Sequence, residues 1–186
     1  MASWCWIASG LSVLMLTGCS AGPPSLGLVP DFSLTDQADH PFSSADTLKN
    51  NVWIADFIFT NCAGPCPRMS AQMRKLDDAL GEYSDVKFVS FTVDPERDTH
   101  AVLQRYADRY QAEAGRWFFL TGAAADLNKL SRNVFMLGDV DGKLEHSTRF
   151  VLIDKKSRIR GYYLTAEEDA IPRLIADTRK VLKERF

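Results

Sequence analysis

The chain is poor in features that mark several large classes of protein. No strand-like run is followed by a glycine-rich phosphate loop, which argues against a nucleotide cofactor. Lys plus Arg number 22 against 24 Asp plus Glu, a net charge of −2 with both signs interspersed, so there is no electrostatic case for nucleic acid. There is no internal repeat, and no separate Thr-x-x-Cys pattern of a peroxidatic centre. Histidine and cysteine are scarce, at 3 and 4 residues, so chemistry that needs imidazole or sulfur has few places to sit.

Charge is missing altogether from the front. Residues 1–18 hold no Asp, Glu, Lys, Arg or His, not even the basic start usual in an export signal. Their apolar run, Ile7 to Leu16, is too short to span a bilayer, and small residues precede Cys19, the pattern of a cleaved signal rather than of a retained membrane helix. Leu16-Thr17-Gly18-Cys19 resembles the lipobox of bacterial lipoproteins, which implies cleavage before Cys19 and lipidation of its thiol. The expected organisation is a lipoprotein signal peptide over 1–18, a lipid-anchored linker over 19–27, and one domain over 28–186 at the extracytoplasmic face of the membrane. Cleavage removes Cys5 and lipid occupies Cys19, leaving Cys62 and Cys66 in an oxidising compartment where a disulfide and a metal site are both open.

What is present is an alternation of strands and helices. Phe32–Thr35 and Pro41–Phe42 flank a turn at 36–39 and read as a small leading hairpin. Val52–Phe59 is nearly continuously apolar, as a strand covered on both faces must be. From Pro67, the positions Met69, Met73, Leu76, Leu80 and Tyr83 recur at helical spacing and predict a helix with both methionines in the core. A strand over 86–93, a helix over 99–111, a strand over 117–120 and a helix around Leu127, Leu130 and Val134 follow. A hairpin, 149–153 with 159–164, and a final helix to about 185 close the chain. This α/β order, with a thiol loop between the first main strand and its helix, is similar to a thioredoxin-type fold.

That loop, Asn61-Cys62-Ala63-Gly64-Pro65-Cys66-Pro67, is where chemistry is expected. A cysteine at a strand-to-helix junction meets unpaired backbone N–H groups and the positive end of the helix dipole, both of which favour thiolate. Two such sulfurs can chelate one ion, attack a disulfide, or oxidise to each other. In a thioredoxin-type fold the turn entering the hairpin strand passes beside this loop, so His146, just before Arg149, can add an imidazole. Two thiolates and an imidazole suit Cu(I), and an N/S set tolerates Cu(II). Asp56 lies within the apolar strand six residues before Cys62, as a thiol-assisting or a structural carboxylate. Asp94 is a candidate partner behind the ligands, and Asp98 is read as a cap for the following helix. His40 and His100 complete no ligand set.

Three segments carry a resemblance: Trp53-Ile-Ala-Asp-Phe-Ile-Phe-Thr-Asn-Cys62-x-x-x-Cys66-Pro67-x-Met69, Phe91-Thr-Val-Asp94-Pro-Glu-Arg-Asp98-Thr99, and His146-Ser147 with Phe150-Val-Leu-Ile-Asp154. In order, spacing and sequence they resemble the SCO/SenC copper-chaperone family over residues 28 to 185, departing at His100, where many members carry Pro. The resemblance implies a membrane-tethered thioredoxin fold that binds copper through Cys62, Cys66 and His146 and helps assemble the dinuclear copper centre of cytochrome c oxidase. Subunit II of the oxidase is the implied partner, with another copper chaperone or a thiol reductant upstream. The alternative is a thiol:disulfide oxidoreductase using Cys62 and Cys66 as a redox-active disulfide on subunit II or other exported cysteines.

Overall fold

The computed structural model describes residues 22–137 and 148–185. Its framework is a six-stranded sheet in the order β1 (Gly27–Leu28), β8 (Arg158–Leu164), β7 (Arg149–Ile153), β4 (Val52–Ile58), β5 (Val86–Thr92), β6 (Trp117–Leu120), with a separate two-stranded hairpin between β1 and β4 in the chain. The central strand β4 (Val52–Ile58) is buried along its whole length, which is why its sequence shows no polar alternation. β5 (Val86–Thr92) and β6 (Trp117–Leu120) run parallel to it, reached through α2 (Cys66–Ala79) and α3 (His100–Arg109). On the other side of β4, β7 (Arg149–Ile153) runs antiparallel and turns into β8 (Arg158–Leu164), after which α5 (Ala170–Leu182) ends the fold.

Side chains alternate across β4, so the sheet presents two different faces to its covers. Trp53 and Phe57 point to an aromatic layer with Phe32, Phe91 and Phe135, where Phe57 and Phe91 stack at 4.9 Å. Phe135 follows a short helix α4 (Ala124–Asn128) that continues as a π-helical turn over Lys129–Val134. The spacing of Leu127, Leu130 and Val134 suits a helix, but only tertiary packing selects the wider turn. α2 lines the opposite face with Met69 and Met73, both wholly buried, as their helical spacing predicts.

The leading hairpin, β2 (Ser33–Thr35) with β3 (Pro41–Ser43), forms as expected and leads into a short α1 (Ser44–Thr47). It also covers the open edge of the sheet. Thr35 and Thr121 exchange backbone hydrogen bonds of 2.9 Å, and the Gln37 amide bridges to the backbone of Trp117 and Phe119. At the other edge, β1 (Gly27–Leu28) pairs with β8, and Leu26 N–H donates to the Ile159 carbonyl at 2.8 Å. Residues 22–27, read from sequence as the end of a lipid-anchored linker, therefore lie against the domain. A two-residue Gly-Leu strand carries no periodic signal, so only the unsatisfied edge of β8 determines it.

Candidate metal and redox site

β4 delivers the chain to a loop that ends on the first residue of α2, Cys66. The loop is braced from its base. Asp98, 1% exposed, accepts hydrogen bonds from the Thr60 N–H at 3.1 Å, the Thr60 hydroxyl at 2.5 Å and the Thr92 hydroxyl at 2.6 Å. It thereby ties the residue two before Cys62 to the end of β5. This corrects the helix-cap reading of Asp98: Thr99 holds the N-cap position, without a side-chain bond, and the carboxylate is spent on the loop instead. The sequence does not single out Thr60 and Thr92, because nothing local links them to a residue 38 or 6 positions away.

No disulfide joins Cys62 to Cys66, and the two differ in access. Cys62 is partly exposed, and its sulfur accepts the Gly64 N–H at 3.3 Å. Cys66 is wholly buried, within hydrogen-bonding reach of Cys62 and of the Phe59 backbone. Burial pushes the Cys66 thiol well above its usual range, only partly offset by the Phe59 bond, and the neighbouring Cys62 and Asp56 push it further. The expectation that the helix start would favour thiolate is thus overturned for Cys66. Removing a charge from water costs more than one turn of helix dipole and one N–H return.

Asp56 completes the buried part of the site. Neither carboxyl oxygen has a well-formed hydrogen bond among the described residues, and the Ser90 hydroxyl opposite it on β5 offsets little of the burial. Its pKa is raised from 3.8 to about 7, so the group is substantially protonated at neutral pH. Asp94 instead holds its own loop: it pairs with Arg97 at 2.8 Å, and its N–H donates to the Thr92 hydroxyl. His100, at the start of α3, contacts the Asp36 carbonyl and Asp39, and His40 lies 3.8 Å from Asp36, so both are engaged at the turn of the leading hairpin.

His146 lies outside the described residues, as does Cys19. Three residues beyond His146, β7 begins at Arg149 and runs antiparallel to β4, so its start stands at the same end of the sheet as the cysteine loop. Among the described residues no third His, Cys, Asp or Glu joins Cys62 and Cys66 in a ligand cluster. Two adjacent sulfurs with no disulfide between them fit a soft ion, for which thiolate is the preferred donor.

Residues 22–183 match the family model described as SCO1/SenC. A putative copper-binding protein of Stutzerimonas stutzeri is 32% identical over 142 residues, covering 72% of this chain and 68% of its own. The crystal structure of a SCO1/SenC family lipoprotein from Bacillus anthracis superposes with a TM-score of 0.77 at 34% identity, covering 87% of this chain and 98% of its own. BsSco, a member of the Sco family of cytochrome c oxidase assembly proteins in which a disulfide switch was identified, superposes with a TM-score of 0.75 at 30% identity, over 88% of this chain and 97% of its own.

Proposed function

Because the chain belongs to the SCO1/SenC family, we propose that it is a copper-binding protein assisting assembly of the dinuclear copper centre of cytochrome c oxidase, with Cys62, Cys66 and His146 as ligands. The observation that carries this reading is the pair of adjacent unlinked thiols, one reachable from solvent and one buried, in a braced loop at the end of β4. The copper-binding relative and the oxidase-assembly relative support it.

Each residue has a separable task. Cys62, at the rim, receives the ion, and Cys66 closes the site from below by giving up a proton that burial holds in place. His146 supplies a nitrogen that lets the same site hold Cu(II) as well as Cu(I). Because ligands shed protons on binding, affinity falls as pH drops. Joining Cys62 to Cys66 in a disulfide passes two electrons and two protons to an exchanging thiol–disulfide partner and removes both sulfur donors. Loading and oxidation are therefore alternatives.

The protein acts at the extracytoplasmic face, tethered through lipid on Cys19, with oxidase subunit II as recipient and a copper chaperone or thiol reductant as supplier. The lipoprotein relative supports the tether, and no helix among the described residues is long and apolar enough to cross a membrane. The test is copper titration of reduced and oxidised protein beside His146→Ala. A single copper per reduced domain, none after oxidation, and weaker binding with altered Cu(II) absorption for His146→Ala are expected. Equal binding by both redox forms would overturn the shared site and favour the thiol:disulfide oxidoreductase.

A further inference from the structure

Positive charge is gathered at the end of the domain opposite the cysteines. Residues 154–160 and 179–185 hold eight Lys and Arg against two Asp and Glu, and with Asp85, Glu82 and Asp177, which pair there with Lys155, Arg179 and Lys180, the balance is +3 in a chain of net −2. The two segments meet in space: Arg160 on β8 pairs at 2.6 Å with Glu184, just beyond α5. Lys155, in the turn between β7 and β8, pairs at 2.6 Å with Asp85, immediately ahead of β5. This is the end at which β4 and β5 begin. The cysteine loop follows the carboxyl end of β4, a seven-residue strand away, or about 23 Å.

The tether reaches the domain at this same basic end. Arg160 Nε donates to the Pro23 carbonyl at 2.9 Å, Nη2 donates to it too, and Val29 N–H donates to the Ser157 carbonyl at 2.8 Å. Gly22 packs so closely on the Glu184 carboxylate that a Cβ there would collide with it. From Cys19 to Gly22 is three chain steps, which span at most about 11 Å. Lys156, Lys183 and Arg185 are exposed around this point.

We propose that this basic end docks on anionic lipid headgroups, so that the lipid-anchored domain stands with Cys62 and Cys66 directed away from the membrane. The proposal rests on lipid attachment at Cys19. A tether this short keeps the basic residues close to the surface, within or near the distance of about 8 Å over which charges act at physiological salt. The clamp at Arg160 and the β1–β8 pairing fix the point at which the tether leaves the domain. The copper ligands then face the water-exposed part of a membrane-bound recipient rather than the lipid.

Lysine acetylation footprinting of the full lipidated protein, reconstituted in phosphatidylglycerol or in phosphatidylcholine vesicles, tests this. Lys156 and Lys183 should react about fivefold more slowly on phosphatidylglycerol, a difference lost in about 1 M NaCl, where screening shortens to about 3 Å. Lys129, beyond the carboxyl end of β6, should react alike on both. Lys180, exposed at the same end, should be slowed likewise, and the triple variant Lys156→Glu, Lys183→Glu, Arg185→Glu should remove that slowing. Equal rates at Lys156 and Lys183 on both lipids, or equal slowing at Lys129, would overturn the orientation. Failure of lipid attachment is read separately, as the absence of a diacylglyceryl mass on Cys19 and release from phosphatidylcholine vesicles. Unlipidated protein still reports the basic end on phosphatidylglycerol.

Discussion

Asp98 accepts both the backbone N–H and the hydroxyl of Thr60, fixing the base of the cysteine loop from 38 residues away. A third bond, from the Thr92 hydroxyl, leaves the carboxylate fully engaged in a site closed to water. Removing it strands two hydroxyls and one part-buried N–H, so Asp98→Ala should cost about 2–4 kcal/mol of stability. Copper affinity should fall about tenfold as the loop loosens. Urea unfolding and competition with a Cu(I) chelator measure the two effects. An Asp98→Ala protein with wild-type stability and affinity would show that the brace carries neither.

Access separates the two thiols. Timed alkylation of reduced protein, followed by mass spectrometry, should modify Cys62 at least about tenfold faster than Cys66, whose sulfur is buried and held protonated. Denaturation should abolish the difference. Equal rates in the folded protein would contradict the burial of Cys66.

The buried Asp56 makes stability fall as pH rises. Its pKa is about 7 in the folded protein, against 3.8 for the ordinary group. Between those values the native state binds the extra proton, so unfolding free energy decreases with pH, by an amount on the order of 4 kcal/mol, and levels off above about pH 7. Asp56→Asn cannot ionise and should lack this component. Its advantage over wild type should grow from about pH 4 to pH 7 and then stay constant in denaturant titrations. A wild-type-to-variant difference that does not change with pH would refute the raised carboxyl.

The proposed ligands should differ in weight. Cys62→Ser or Cys66→Ser should weaken Cu(I) binding by about a hundredfold or more, whereas His146→Ala should lose less, because thiolate is the softer donor. Wild-type affinity should drop as pH is lowered through the thiol and imidazole ranges, since both must be deprotonated to bind. Chelator competition across pH checks each expectation. His146→Ala matching the cysteine variants in severity would place the nitrogen on a par with the sulfurs.

The chain by itself determined the strand-helix order, the core methionines and the position of the thiol loop. A parallel strand buried on both faces reads as a nearly continuous apolar run, and a helix packed on one face repeats every three or four residues, so β4, β6 and α2 are visible as local patterns. What tertiary structure alone decided involves residues with no local mark. Asp98 reads equally well as a cap until Thr60 is folded onto it. Cys66 reads as a thiolate until burial outweighs the helix start. Gly27 reads as the last residue of the linker until the edge of β8 pairs with it and with Leu28. Charges that look evenly mixed along the chain become a basic end and an acidic remainder, because the β7–β8 turn and the end of α5 are brought together by packing rather than by sequence.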